Sequence, residues 1–416
     1  MRIKYNGKNA IRLIIILVAV SITLGFLHMT TLFALLVLEM VVIIMFFAKK
    51  LMNKITGLQL LWIVSTLYTI LNTRTFTYYT IYYIINTLIG LMVLICVERD
   101  SCDLFYDSFR FFVFFGVFAG LTSVLEVFSP NTIISLFSAL SPGKLPDIYS
   151  FLRNGRYLGI TNYVWYTSLM LFVGGSYIFS DFSNSKRKRK AFYLFALLVL
   201  LIAVFLSGSR SGILLFPIIA GLSYGERNTV KSILLVSGLL CIAYLVVMYS
   251  NSSLRIVIAL QNMFTKVISG DVIDARRASL RELAVSLFQT HKLFGIGWYE
   301  FRYYSNSVMD NYYHVHNLYY QLLCENGIIG TAIIACPWAI TLVRTARFLF
   351  KQKNQKQERT YRIAKFCFMI QIYFYVASIV HVTLFDGPTV LLFYIICGIS
   401  LTCIRQTPSI KYKARL

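Results

Sequence analysis

Paired acidic residues are what this chain most clearly lacks. It carries 17 Asp and Glu against 40 Lys and Arg in 416 residues. Those expected outside the membrane (Asp147, Asp271, Asp274, Glu282, Glu300, Asp310 and Asp386) are scattered, with no D-x-D and no His/carboxylate cluster. Scattered carboxylates make a poor cage for a divalent cation, so neither a metal nor a cofactor is expected. Cysteine chemistry is equally thin. The eight cysteines lie in or beside apolar runs without a C-x-x-C pair, which argues against a disulfide framework or a zinc site. No internal repeat is evident, whereas secondary transporters tend to show one. Charge itself is sparse, at 14% of residues against 58% hydrophobic, and mean hydropathy is +0.69. That balance excludes a soluble domain and points to a polytopic membrane protein.

Arg2, Lys4, Lys8 and Arg12 precede an apolar run in the manner of a signal peptide. The run from Ile11 to Leu27 is nevertheless long enough to span, and no A-x-A site follows, so it reads as a first, retained span. Twelve apolar stretches can be drawn: 11–27, 29–48, 55–71, 78–97, 109–128, 163–180, 191–206, 212–224, 232–249, 320–342, 363–384 and 389–404. The expected fold is therefore all-α, a single integral membrane domain over 1–416 with about twelve transmembrane helices. With both termini cytoplasmic, 28 of the 40 Lys and Arg fall on the inner side, as the positive-inside rule requires. The net charge of +23 thus reports orientation and not nucleic-acid binding. The stretch 212–224 is short and contains Pro217; a re-entrant hairpin over 191–224 would preserve the same parity.

Two segments fall outside, 129–162 and 250–315. The first is rich in turn formers: Ser129-Pro130-Asn131, Ser141-Pro142-Gly143 and Leu145-Pro146-Asp147. The second contains Leu280, Leu283, Ala284, Leu287 and Phe288 at helical spacing, an amphipathic helix expected on the membrane surface or against the bundle. Twelve basic residues remain outside against the rule, nine of them arginines, including Arg74, Arg153, Arg156, Arg210, Arg277, Arg281 and Arg302. Arginine grips phosphate bidentately, so these point to an anionic substrate. Arg277 and Arg281 sit one turn apart near a helix start, with Asp274 as its N-cap, where a bound anion would offset their unfavourable position. Arg210 lies in the Ser207–Gly212 break between two apolar runs, a costly place for a cation that serves no purpose. Arg156 could share that vestibule, and Arg153 less readily.

The stretch from His316 to Gly330 brings a titratable ring to a membrane surface. On a continuous helix, His316, Tyr320, Leu323, Gly327 and Gly330 would share one face. An interfacial histidine ahead of a glycine packing face is the plainer reading. Among arginines, however, His316 would be held neutral and suited to act as a general base. On that helix His314 would point elsewhere. His381, close to Asp386, is a second candidate, and His291 only closes the amphipathic helix.

His316-Asn317, nine residues, Gly327, two residues and Gly330 resemble the signature of the O-antigen ligase and O-antigen/capsule polymerase superfamily. Three further pieces match in order: Gly155–Asn162, Ser207–Gly212, and Arg277 followed fourteen residues later by His291–Gly297. Lys292 replaces the usual proline, and Arg281 stands where an aromatic is common. The resemblance covers 150–335. It implies a GT-C-like helical bundle acting on undecaprenyl-diphosphate-linked glycans at the outer face of the cytoplasmic (inner) membrane, without metal, and inverting. Arg210 and Arg277 would hold the donor diphosphate, with Arg156, Arg281 and Arg153 in support. His316 would activate the acceptor hydroxyl, helped by His381, Asn317 would hold the ring or sugar, and Gly327 and Gly330 would allow close helix packing. The implied partners are donor and acceptor glycan, membrane lipid and a chain-length regulator. The expected activity is polymerisation of repeat units into capsule, exopolysaccharide or O-antigen. A ligase passing glycan to lipid A–core or protein is the near alternative, and a flippase or transporter the distant one.

Overall fold

The computed structural model describes residues 7–24, 55–97, 99–161, 163–182, 185–224, 257–262, 273–352 and 359–406, with isolated positions between 234 and 265. Among them are fifteen α-helices and, beyond one bridge between Thr73 and Trp298, no β-structure. In chain order they are α1 (Gly7–Thr23), α2 (Gly57–Leu71), α3 (Tyr78–Cys96), α4 (Arg99–Ser108), α5 (Arg110–Phe128), α6 (Pro130–Leu140), α7 (Leu145–Arg153) and α8 (Val164–Asp181). Then follow α9 (Arg187–Ser207), α10 (Arg210–Tyr224), α11 (Ile273–Thr290), α12 (Phe301–Met309), α13 (Leu318–Lys351), α14 (Arg359–Ala377) and α15 (Gly387–Gln406). Among the described residues, five helical stretches are long and apolar enough to cross a membrane: 78–96, 102–128, 187–207, 318–351 and 387–405. The chain is an all-α polytopic membrane protein. The expected spans over 29–48 and, apart from single positions, 232–249 lie outside the described residues.

Helix α15 is apolar on every side and is buried on nearly all of them, as a central helix must be. Its Tyr394 meets the edge of Trp62 at 4.7 Å and shares a 3.0 Å hydrogen bond with Thr66, which fixes α2 against it. Trp62 in turn donates to Thr341 of α13 at 3.2 Å. At the periphery, α5 exposes Phe114, Phe118, Leu121 and Leu125 as one helical stripe, and α9 exposes Phe192, Leu194, Phe195 and Leu198. In water such stripes would be costly; facing acyl chains they are the ordinary surface of a spanning helix.

The two ends of the bundle differ chemically. At one, Arg359 of α14 reaches Asp103 and Asp107 of α4 at 2.8 Å each. Asp181 gathers Arg362 at 3.4 Å and Arg189 at 3.6 Å. The sequence pattern assigns this end to the inner side. The opposite end holds His291, His314, His316 and His381. There the 129–162 segment, expected as turns, is largely helical. Pro130 and Pro146 fall in the first turns of α6 and α7, where a missing N–H is harmless and the fixed φ favours a helix. Helix α11 packs its predicted apolar face on the bundle: Leu280 and Ala284 are buried with Ile296, Phe301, Val315 and Cys324. It begins at Ile273, so Asp274 lies inside its first turn and is not its N-cap.

Candidate active site

Helix α13 carries the site, and it is not continuous. Gly327 has φ 62° and ψ −168°, a conformation open essentially to glycine alone, so the chain breaks there and restarts. A break inside an apolar helix exposes carbonyls and N–H groups that must find partners. Residues 292–297 supply them. Ile296 donates to Cys324 O at 3.0 Å and Gly297 to Glu325 O at 2.9 Å, while Ile328 donates to Lys292 O at 2.8 Å and Ile329 to Leu293 O at 3.1 Å. From α2, Asn72 donates to Glu325 O (3.2 Å) and Tyr68 to Asn326 O (3.4 Å). The backbones interlock so closely that a Cβ on Gly295 would overlap the Glu325–Asn326 peptide, and one on Gly327 the Leu293 carbonyl. The two glycine motifs seen in the sequence are thus halves of one joint. Gly327 serves this joint and not helix packing; Gly330 alone has the packing role, lying against the Tyr68 ring.

His316 lies outside the helix, which corrects the single-face placement. Its φ is 56°, and α13 begins at Leu318 with Asn317 as N-cap. The Asn317 amide is largely committed. Its Oδ1 accepts from the N–H groups of Tyr319 and Tyr320 at 3.0 and 3.1 Å, and its Nδ2 donates to Ile379 O at 2.8 Å. Asn317 therefore fixes the loop that presents His316, and these bonds use one of its two Nδ2 hydrogens. The Leu318 N–H also binds Ser378 O at 2.8 Å, which ties this loop to the one bearing His381.

His314, expected to point elsewhere, opens on the same cavity as His316, because residues 310–317 are not helical and helical spacing does not apply. A buried relay holds it. Gln321 Oε1 accepts from the Val315 N–H at 3.2 Å, and its Nε2 donates to His314 Nδ1 at 2.8 Å and to Glu325 Oε1 at 3.1 Å. Glu325 also accepts from the N–H groups of Tyr299 (2.8 Å) and Phe301 (3.2 Å), a donor set that offsets the cost of burying a carboxylate. With Gln321 donating to Nδ1, the network assigns the His314 proton to Nε2. Glu325 and Gln321 were missed in the sequence, although an ionisable group inside an apolar run is itself the signal that finds them.

The cavity measures about 820 Å3 and is lined by His314, His316 and His381, by Lys144, Arg302 and Asp386, and by a wall of aromatics that includes Tyr79, Trp165 and Tyr299. Every lining residue belongs to an outer segment or to the outer end of a span, as the charge pattern orients them. Burial, followed by the charges of Arg277 and Arg276, pushes the His316 pKa down to about 4. Burial, Arg277 and His316 push His381 down to about 3. Burial, Arg302 and His316 do the same for His314. All three rings are neutral at pH 7 and available as bases or hydrogen-bond partners. Burial raises the pKa of Asp386, whose carboxylate accepts from Tyr166 at 2.8 Å.

Of the residues singled out in the sequence, Arg277, His316 and His381 come together. Arg281 is exposed a turn further along α11, and Arg153 is exposed in the last turn of α7. Neither they nor Arg156 line the cavity, and Arg277 too lies outside its lining, reaching His316 and His381 through its charge. Arg156 follows Gly155 in the turn after α7, its N–H bound to Phe151 O at 2.9 Å. The Arg210 side chain lies outside the described residues; its backbone opens α10 just after Gly208, which has φ 67°. His291 ends α11, as expected. Among the described residues no group of three or more His, Cys, Asp or Glu is placed to hold a metal ion.

Such a cavity, with neutral imidazoles and a guanidinium at one end of a spanning bundle, offers hydrogen-bonding and cationic groups suited to a polar, anionic ligand. Residues 167–335 match the family model described as O-Antigen ligase, and over that stretch the chain is similar to the O-antigen ligase superfamily. The match includes Arg210, Arg277, His316 and both halves of the joint, but not His381, Arg153 or Arg156. No curated protein matches the chain.

Proposed function

We propose that the protein is an inverting glycosyltransferase that polymerises undecaprenyl-diphosphate-linked repeat units at the outer face of the cytoplasmic membrane, into a capsule, exopolysaccharide or O-antigen. The observation that carries this reading is that His316 and His381, both neutral, line one cavity at one end of the bundle and both feel the charge of Arg277. The acceptor hydroxyl attacks the anomeric carbon of the donor, its proton passes to His316, and the C–O bond to the diphosphate breaks with its electron pair leaving on that group. Arg277, with Arg210 and with Arg281 and Arg156 further out, holds the diphosphate and stabilises the charge as it develops there, the largest contribution to such a reaction. His316 contributes as base. Membrane lipid surrounds the donor tail, and a chain-length regulator is the partner protein such a polymerase would need.

The description of the matching family favours a second reading, in which the acceptor is lipid A–core. Purified protein supplied with a synthetic undecaprenyl-diphosphate oligosaccharide as its only substrate separates the two. A ladder of products with release of undecaprenyl diphosphate supports polymerisation. Transfer only when lipid A–core is added supports the ligase. No transfer under either condition sinks both.

A further inference from the structure

We propose that Arg302 and His314 form an oxyanion subsite in the cavity wall that takes the carboxylate of an acidic sugar in the glycan and so selects the repeat unit. This rests on the cavity being a glycosyl-transfer site and adds the class of glycan it takes. Arg302 lies in the first turn of α12 with its guanidinium 4.9 Å from the Tyr79 ring centre, 5.3 Å from Tyr299 and 5.9 Å from Tyr312. Tyrosine faces hold the charge without neutralising it. Among the described residues Arg302 makes no ion pair, and its buried Nε has no hydrogen-bond partner. The Tyr299 side chain hydrogen-bonds part of the guanidinium; an arginine stacked on rings with further donors to spare suits a planar oxyanion approaching from the cavity it lines.

His314 is the second donor. Its ring stands edge-on to the same Tyr299, at 5.4 Å, and the Gln321–Glu325 relay occupies Nδ1, leaving Nε2–H for the cavity. The carboxylate on this cavity, Asp386, is already engaged by Tyr166 at 2.8 Å and by the Thr389 N–H at 3.3 Å. The aromatic wall offers flat faces to the C–H faces of sugars. The cations also serve different parts of the cavity: Arg277, outside the lining, acts on His316 and His381, Arg302 on His314, and Lys144 is paired with Asp147 at 3.8 Å. A diphosphate at Arg277 therefore leaves Arg302 for a second anionic group.

The other source of an oxyanion is the lipid diphosphate itself, and binding to the intact detergent-solubilised protein distinguishes them. Quenching of tryptophan fluorescence, with Trp165 in the wall, is titrated with methyl β-glucuronide, methyl β-glucoside and inorganic pyrophosphate. Wild type should prefer glucuronide to glucoside. Arg302→Gln should weaken glucuronide at least about tenfold, the loss expected for a charged hydrogen-bonded pair, and leave pyrophosphate unchanged. Arg277→Gln should do the reverse. Arg302→Lys keeps a cation among the tyrosines while losing the fork, so it guards against a folding defect and should weaken glucuronide as well. Unchanged glucuronide binding in both Arg302 variants overturns the proposal, as does a wild type without preference for glucuronide. Loss of pyrophosphate binding in place of glucuronide binding assigns Arg302 to the lipid diphosphate and overturns it too. Because the assay needs no turnover, any of these results leaves the transfer reading to be judged on its own experiment.

Discussion

Substituting Gly327 by alanine should damage this protein far more than its single methyl group implies. The φ and ψ of Gly327 lie in a region that costs a residue with a side chain about 1–3 kcal/mol. The added Cβ would also overlap the Leu293 carbonyl and the Phe294 nitrogen, which are backbone and cannot rotate away. Relief requires residues 292–294 to withdraw, at the expense of the 2.8 Å and 3.1 Å bonds from Ile328 and Ile329, each contributing about 1 kcal/mol. The sum is about 3–5 kcal/mol, a large fraction of the 5–15 kcal/mol typical of a folded domain. The assay is thermal unfolding in detergent followed by intrinsic fluorescence, together with the transfer rate. Gly57→Ala is the control, since a Cβ there meets nothing within 4 Å and should be neutral or slightly stabilising. If Gly327→Ala melts and transfers like Gly57→Ala, the interlocked joint does not hold the site together.

Acidification should act on stability and activity in a defined direction. The folded pKa values of about 4 for His316 and about 3 for His314 and His381 lie below the ordinary 6.5, so the unfolded chain takes up protons first. The stability present above pH 6.5 is lost as pH falls from 6.5 towards 4, by up to about 2 kcal/mol per histidine at pH 5. Equal melting temperatures at pH 7 and pH 5 would contradict the buried neutral rings. The acid limb of kcat/KM should lie near pH 4 and move upward in Arg277→Gln; a limb at 6.5 in both proteins would place His316 in open water. Asn317→Ala should lower stability by about 1–2 kcal/mol through loss of the cap and of the bond to Ile379, with Asn317→Ser recovering part of it in the same melts. An unchanged melt for Asn317→Ala would free that amide for substrate.

How much of this could be read beforehand depended on which interactions were local. Apolar length and the asymmetry of Lys and Arg are local, and the helices at 78–96, 187–207 and 387–405 fall where those signals place them. The packed face of α11 was equally legible, since Leu280 and Ala284 are buried as their spacing requires. Helical spacing misled at His316, Gly327 and His314 because it assumes an unbroken helix. Gly327 breaks α13 only because residues 292–297 arrive to satisfy the broken hydrogen bonds, a long-range event with no periodic trace. Pro130 and Pro146 misled for another reason: the fixed φ that suits a turn also suits the first turn of a helix. Arg302 stood out only as a cation on the wrong side of the membrane; its tyrosine cage comes from three separate segments and shows only when they fold together.

The most direct measurement is the single-turnover rate of undecaprenyl diphosphate release by purified His316→Ala and Arg277→Ala proteins, with Arg344→Ala at the opposite end of the bundle as control. Loss of the base should slow release by about 10²–10⁴-fold, loss of Arg277 should also weaken donor binding, and Arg344→Ala should match wild type. Wild-type release rates in both His316→Ala and Arg277→Ala would place the chemistry somewhere other than this cavity.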